Sequence, residues 1–135
     1  MDPNKLTEKA QQAIAAAQRL ASERRHTQLE PEHLLYALVT QENGVVPAVL
    51  LRMGVPSQGV IQRLEQALEG FARAQGPTQV SVSSRFRHLL DAAETEAERL
   101  KDEYVSTEHY LLALTDDRGQ VGQILRDLGI TRTRV

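Results

Sequence analysis

The sequence predicts an all-α domain built from one helical unit used twice. Three observations carry this. A stretch of near-continuous apolar character occurs twice, as EHLLYAL over residues 32–38 and EHYLLAL over residues 108–114. Shifting the chain by 76 residues lays one copy on the other, and the match extends well beyond these stretches. A segment apolar at nearly every position has to be covered on several sides, so the two copies read as the buried central helices of two matching halves.

The elements follow in order. Thr7 is suited to cap the first helix, because its hydroxyl can accept a free backbone N–H of the first turn. That helix runs to about Arg24 with Leu6, Ala10, Ala13, Ile14, Ala17, Leu20 and Ala21 at helical spacing. Pro31 fits the first turn of a second helix, where its missing N–H costs nothing, and Glu30 and Glu32 favour the positive end of the helix dipole. Residues 41–44 break this helix. A third runs over 45–53 and stops at Gly54, with Pro47 in its first turn. Pro56 and Ser57 open a fourth, whose buried stripe is Val60, Ile61, Leu64 and Leu68. Gly70 and the Gly76-Pro77 pair bracket a polar connector reaching about Val82.

The pattern then restarts. Ser83 or Ser84 caps a fifth helix with Phe86, Leu89, Leu90, Ala93, Ala97 and Leu100 on one face and Glu94, Glu98 and Lys101 on the other. Asp102 and Glu103 fall at its end, where acids oppose the dipole, which hints at a use outside the helix. Ser106 and Thr107 cap a sixth helix. Residues 116–119 turn, and 121–128 form a seventh stopped by Gly129. The shift of 76 aligns Ala16, Ala17, Ala21, Glu32, His33, Leu35, Ala37 and Leu38 with Ala92, Ala93, Ala97, Glu108, His109, Leu111, Ala113 and Leu114. Dropping one residue at Val39 then aligns Thr40, Gly44, Val46, Leu50 and Gly54 with Thr115, Gly119, Val121, Leu125 and Gly129. The expected organisation is one domain over 1–135, with repeat 1 at 6–70, a connector at 71–82 and repeat 2 at 83–135. The second copy reaches Val135 where the first begins its fourth helix. Thr131 therefore reads as the cap of a last helix cut short in a piece of a longer chain.

Composition narrows the function. Net charge is −2, with seven basic and eight acidic residues over 1–70, and nine and ten over the remainder. Neither half is basic, so nucleic acid and anionic membrane are poor partners. There is no cysteine, hence no disulfide framework and no thiolate metal site, and a reducing cytosol is the default compartment. The start, MDPNKLTEKAQQ, lacks an apolar signal core, and no run approaches the ~20 apolar residues of a membrane span.

Chemistry-bearing motifs are missing. There is no G-x-x-x-x-G-K-[ST] phosphate loop, no G-x-S-x-G and no H-E-x-x-H. His26, His33, His88 and His109 form no ligand pair at helical spacing, so no metal is expected. His33 and His109 stand in the first turns of buried helices, where a capping or carbonyl-bonding role outweighs metal binding. Glu32 and Glu108 serve as dipole partners or as general acids without a visible second group. The expectation is a non-catalytic domain with no cofactor of its own.

The opening Leu6-Thr7-Glu8-Lys9-Ala10 with its Ala-rich helix, and the duplicated EHLLYAL and STEHYLLAL, resemble the N-terminal domain of the Clp/AAA+ unfoldases, the Clp repeat domain. The run Asp102-Glu103-Tyr104-Val105-Ser106-Thr107-Glu108-His109 is most similar to the ClpB disaggregase branch. The resemblance implies a double four-helix repeat, here with its last helix missing, tethered to hexameric AAA+ rings that use ATP and Mg. It implies a module that engages unfolded or aggregated polypeptide for transfer to the pore, in a parent working in the cytoplasm alongside a co-chaperone system. Matching positions tied to client engagement in that branch are Thr7, Asp102 and Glu108. In the ClpC branch the Glu of each Glu-His pair lies in a phosphoarginine or adaptor pocket, which here would be Glu32 and Glu108. A groove between the first helix and the second repeat is then expected, with Leu6, Leu89, Leu90, Val105 and Tyr110 either lining it or simply interior, and Thr7, Asp102 and Glu108 at its rim.

Overall fold

The computed structural model describes residues 3–76 and 79–135. Met1, Asp2 and the expected break at Pro77 lie outside them. Among the described residues seven α-helices form: α1 (Glu8–Glu23), α2 (Pro31–Thr40), α3 (Val45–Met53), α4 (Ser57–Glu69), α5 (Ser84–Arg99), α6 (Thr107–Thr115) and α7 (Gln120–Asp127). Adding 76 to the bounds of α1 gives those of α5. The first residue of α2 likewise becomes the first of α6.

The local causes repeat as well. Thr7 Oγ1 accepts the Ala10 N–H, and Ser83 Oγ accepts the Phe86 N–H, both at 3.1 Å. Ser83, not Ser84, is thus the cap of α5. Arg25 and Lys101, one shift apart, both take positive φ (61° and 59°) as the chain leaves α1 and α5. Gly54 and Gly129 take φ of 74° and 75°, a left-handed stop that residues with a Cβ rarely adopt.

The two central helices are interior. In α2, Leu34, Leu35 and Leu38 are fully buried; in α6, Tyr110, Leu111 and Leu114 are. Against them lie Ala10, Ala13, Ala17 and Ala21 of α1, and Phe86, Ala93 and Ala97 of α5. Alanine lets α1 approach α2 closely. From α4, Val60, Leu64 and Leu68 are buried, while Ile61 is half-buried. No single described helix is long and apolar enough to cross a membrane.

Three expectations need correction. The connector is not wholly irregular: β2 (Ser81–Val82) pairs in parallel with β1 (Gln28–Leu29), too short a stretch to show any alternation in sequence. Leu100 is 55% exposed rather than on the buried face, because α5 ends at Arg99 and Leu100 is its C-cap. Asp102 and Glu103 therefore sit just beyond the helix rather than in its last turn.

The pairing in the connector has a twin. Leu6 bridges Val105 in parallel, with Val105 N–H donating to Lys5 O (2.8 Å) and Thr7 N–H to Val105 O (3.0 Å). Shifting 6 and 29 by 76 gives 82 and 105. The segment leading into each copy thus pairs with the other copy, and the halves hold each other by exchanged strands.

Tyr110 carries a phenol that is buried with no hydrogen-bond partner among the described residues, and burial pushes its pKa up. An unpaired buried hydroxyl costs roughly 1–3 kcal/mol. Tyr110→Phe should therefore leave stability unchanged or raise it by up to about 1 kcal/mol in urea unfolding. A loss beyond that would reveal a partner for the phenol.

Candidate functional site

The expected site residues divide into three groups. Val105 and Asp102 line one groove of about 250 Å³, together with Lys5, Glu94, Ala97, Glu98 and Glu103. Leu6 and Thr7 adjoin it, held to Val105 through the backbone. Leu89 instead lines a separate recess of about 670 Å³ between α5 and the α6–α7 turn, with Arg85, His88, Ala113 and Asp117 among its walls. Leu90 is half-buried against the core and Tyr110 is wholly interior, so Tyr110 offers no surface to a ligand. The sequence left Tyr110 as either lining or interior, because spacing does not say which side of a buried helix faces the seam.

The two Glu-His pairs serve the helix starts. In each, the His at the third helical position turns its Nδ1 back to accept the N–H of the cap residue: Glu30 N–H to His33 (2.9 Å) and Ser106 N–H to His109 (2.8 Å). Neutral rings so used carry their proton on Nε2. His109 Nε2–H donates to Asp102 Oδ2 at 2.8 Å. His33 Nε2–H donates at 2.8 Å to Nδ1 of His26, which stands one shift before Asp102. The same geometry is thus completed by a carboxylate in one copy and an imidazole in the other. His26, His33 and Phe71 also pack ring to ring within 5.4 Å. Burial pushes His33 down from 6.5 to about 4 and lowers His26 too, with Arg73 and Arg24 adding repulsion.

Glu32 and Glu108 have diverged. Glu32 is 1% exposed, and its carboxylate lies 3.5 Å from the Arg85 guanidinium, which also meets Asp117 at 3.2 Å and Glu30 at 3.8 Å. Burial pushes the Glu32 carboxyl up, with Arg85 opposing. Glu108 is exposed and, among the described residues, accepts only from Thr107 Oγ1 (3.1 Å). Arg85 and Asp117 went unread in the sequence, although the shifts place Lys9 and Glu42 at the same positions of the first copy. There Lys9 Nζ donates to Glu42 O at 3.1 Å. No group of three or more His, Cys, Asp or Glu able to hold a metal occurs among the described residues.

What the fold and the site define is a two-copy helical domain whose titratable groups cap helices and pair with each other. The Clp repeat (R) N-terminal domain family matches residues 5–128, and the chain belongs to that family, as a non-catalytic Clp N-domain. It is 40% identical to the chaperone protein ClpB of Nitratidesulfovibrio vulgaris, over all of this chain and 16% of that protein. It is 34% identical to ClpB of Bacillus cereus, over 98% of this chain and again 16% of the relative. The chain thus spans about one sixth of the length of these curated relatives. Its fold matches the Hsp104 N-terminal domain of Candida albicans at a TM-score of 0.84, with 23% identity, covering 96% of this chain and 85% of that one. It also matches a ClpV N-domain solved in complex with a VipB peptide, at a TM-score of 0.78 and 24% identity, covering 96% and 81%.

The buried imidazoles of His26 and His33 give stability a pH dependence. Their folded pKa values lie below the unfolded one, so the unfolded chain binds more protons and stability falls as pH drops below about 6.5. Carboxylates remain mostly ionised down to about pH 5. Thermal unfolding should therefore show a loss, on the order of 1–2 kcal/mol, between pH 6.5 and 5. His33→Gln should flatten that slope while lowering stability at pH 7. An unchanged slope in the variant would place the titration elsewhere.

Proposed function

We propose that this chain is the substrate-binding N-terminal domain of an ATP-dependent ClpB-type chaperone, engaging unfolded or aggregated polypeptide for transfer to an AAA+ pore. The observation that carries the reading is the groove of Asp102 and Val105, which lies at the seam of the two copies with Thr7 beside it, in a chain 40% identical to a ClpB over its whole length. The peptide seated on a ClpV N-domain of the same fold lends support. In this reading repeat 1 spans 6–70, the connector 71–82 and repeat 2 83–135. The parent is a cytoplasmic homohexamer whose ATP and Mg bind in modules beyond this chain.

A client segment laid against the groove buries a few apolar side chains, each worth ~1–2 kcal/mol before ordering costs. Affinity is then about micromolar or weaker. Weak capture suits a domain that must pass its client on. Thr7 contributes through the start of α1, since its hydroxyl is committed to Ala10 N–H. Asp102 contributes one exposed carboxylate oxygen while holding His109, and Glu108 lies exposed at the surface.

The second reading is adaptor docking or phosphoarginine recognition through Glu32 and Glu108. One observation favours the chemistry: Glu32 already faces a guanidinium, that of Arg85. The same contact closes that carboxylate to outside ligands and leaves Glu108 as the accessible acid.

Titration of an unfolded, alkylated protein should move amide resonances at Thr7, Asp102 and Glu108. Glu108→Ala should weaken binding by about threefold or more, with helicity unchanged. Thr7→Ser, which keeps the cap, should bind as the parent does. Absence of response at all three positions sinks the reading. Free phosphoarginine moving Glu108 alone would favour the second.

A further inference from the structure

Helix α5 is charged against its own dipole. It opens with Arg85, Arg87 and His88 and no acid in its first turn. Its second half carries Glu94, Glu96 and Glu98, with Arg99 as the cation of the last turn. A helix favours the reverse order, acids first and cations last. The matching positions of α1 hold Lys9, Gln11 and Gln12, then Gln18, Leu20 and Ser22, so the fold is built without this polarity. Internal pairing does not account for it either. Among the described residues Arg87, His88, Arg118, Glu94, Glu98 and Glu103 hold no ion pair, while Asp117 and Asp116 on the facing turn are taken by Arg85 and Arg132.

Each charged end lies beside a shaped surface. The recess of about 670 Å³ between α5 and the α6–α7 turn has Leu89, Ala92 and Ala113 as an apolar floor, with His88 and Arg118 among its walls. In repeat 1 the corresponding turn is latched to its helix, because Gln41 Nε2–H donates to Lys9 O at 3.0 Å. The shift of 75 puts Asp116 in place of Gln41. A carboxylate has no proton to give the matching carbonyl of Arg85, and Asp116 accepts from Arg132 instead, at 3.2 Å. The recess therefore stands open. At the other end, Leu100 and Tyr104 are 55% and 48% exposed, beside the groove that Glu98, Asp102 and Glu103 line. Repeat 1 has Arg24 and Gln28 at those two positions, and its matching groove, about 330 Å³, has a neutral lining that includes Gln18, Ser22 and Leu29.

We infer that these two surfaces fit each other between copies of this chain: the loop over residues 100–104 of one copy seats in the recess of the next. Leu100 and Tyr104 cover the floor of Leu89, Ala92 and Ala113, and Glu98 and Glu103 meet His88 and Arg118. Arg85, His88, Leu89 and Ala92 face one flank of α5, and Glu94, Ala97 and Glu98 the opposite one, so one two-fold axis cannot satisfy both surfaces. The contact runs head to tail, the kind that closes when copies are held in a ring, as in the hexameric parent proposed above. Between free chains it is weak, with a dissociation constant about millimolar, and tethering in one assembly supplies a comparable local concentration. It does not rest on the client-binding reading.

The test follows the whole chain by NMR. Amide resonances of Leu89, Gly119 and Tyr104 should shift together on dilution from about 1 mM, and the shifts should fade towards about 0.5 M NaCl. The double change Glu98→Arg with Glu103→Arg should weaken self-association about tenfold or more, and so should His88→Glu with Arg118→Glu, each with the helical circular dichroism intact. Mixed in equal parts, the two variants present opposite charges at both surfaces and should restore the parent's dilution shifts. Resonances that ignore concentration overturn the inference, as do variants that fail to restore each other. A recess that ignores further copies yet responds to an unrelated acidic, aromatic peptide also overturns it, and gives that surface to a different protein.

Discussion

Each copy of the helical unit begins with an extended segment that it lends to the other. Lys5 and Leu6 lie against Val105, and Ser81 and Val82 lie against Leu29. Few residues are involved, but the consequence is topological. Neither α1–α2 nor α5–α6 can leave its partner without breaking backbone hydrogen bonds and uncovering the apolar floor beneath them. The central helices make the same demand, since α2 and α6 present apolar side chains on nearly every side and neither copy alone has the surface to cover them. Both grooves at the seam owe their shape to these exchanged strands.

Duplication then leaves room for divergence where the fold makes no demand. Caps, left-handed residues and alanine faces recur at matched positions because helix geometry requires them twice. Groups next to solvent, or at the ends of hydrogen-bond chains, have drifted apart. His109 rests on an exposed carboxylate and His33 on a buried imidazole. Glu32 is closed under Arg85 while Glu108 is open. One recess is neutral and its twin acidic. Such differences mark the residues that folding does not dictate, which is where binding function is best sought.

Much of this was legible in the residues. Helix starts were marked by Thr7, Pro31 and Ser106, and stops by Gly54 and Gly129, because capping and left-handed turns depend on one or two side chains close in sequence. The repeat was legible because it preserves those same residues in register. The exchanged strands were not: a pairing of one or two residues has no periodicity to read, and its partner lies more than fifty residues away. Leu100 misled because helical spacing in the sequence continues past Arg99, where α5 ends. Of the site, Asp102 and Val105 do share a groove, whereas Tyr110 and Leu89 point elsewhere, since facing across a seam depends on how two buried helices rotate against each other. Arg85 and Asp117 were visible as charges matched by Lys9 and Glu42, but pairing across copies follows only once the two-fold relation is seen in space.

The mutual hold of the two copies can be measured directly by native-state hydrogen exchange. The amides of Thr7 and Val105 report one exchanged pairing, and those of Ser81 and Ser83 report the other. If the copies stand or fall together, all four should open at a free energy close to that of global unfolding, and should stay parallel as urea is raised. If Thr7 and Val105 exchange at loop rates while Ser81 and Ser83 remain protected, the halves are not held reciprocally and the seam is not the structural unit that shapes the groove.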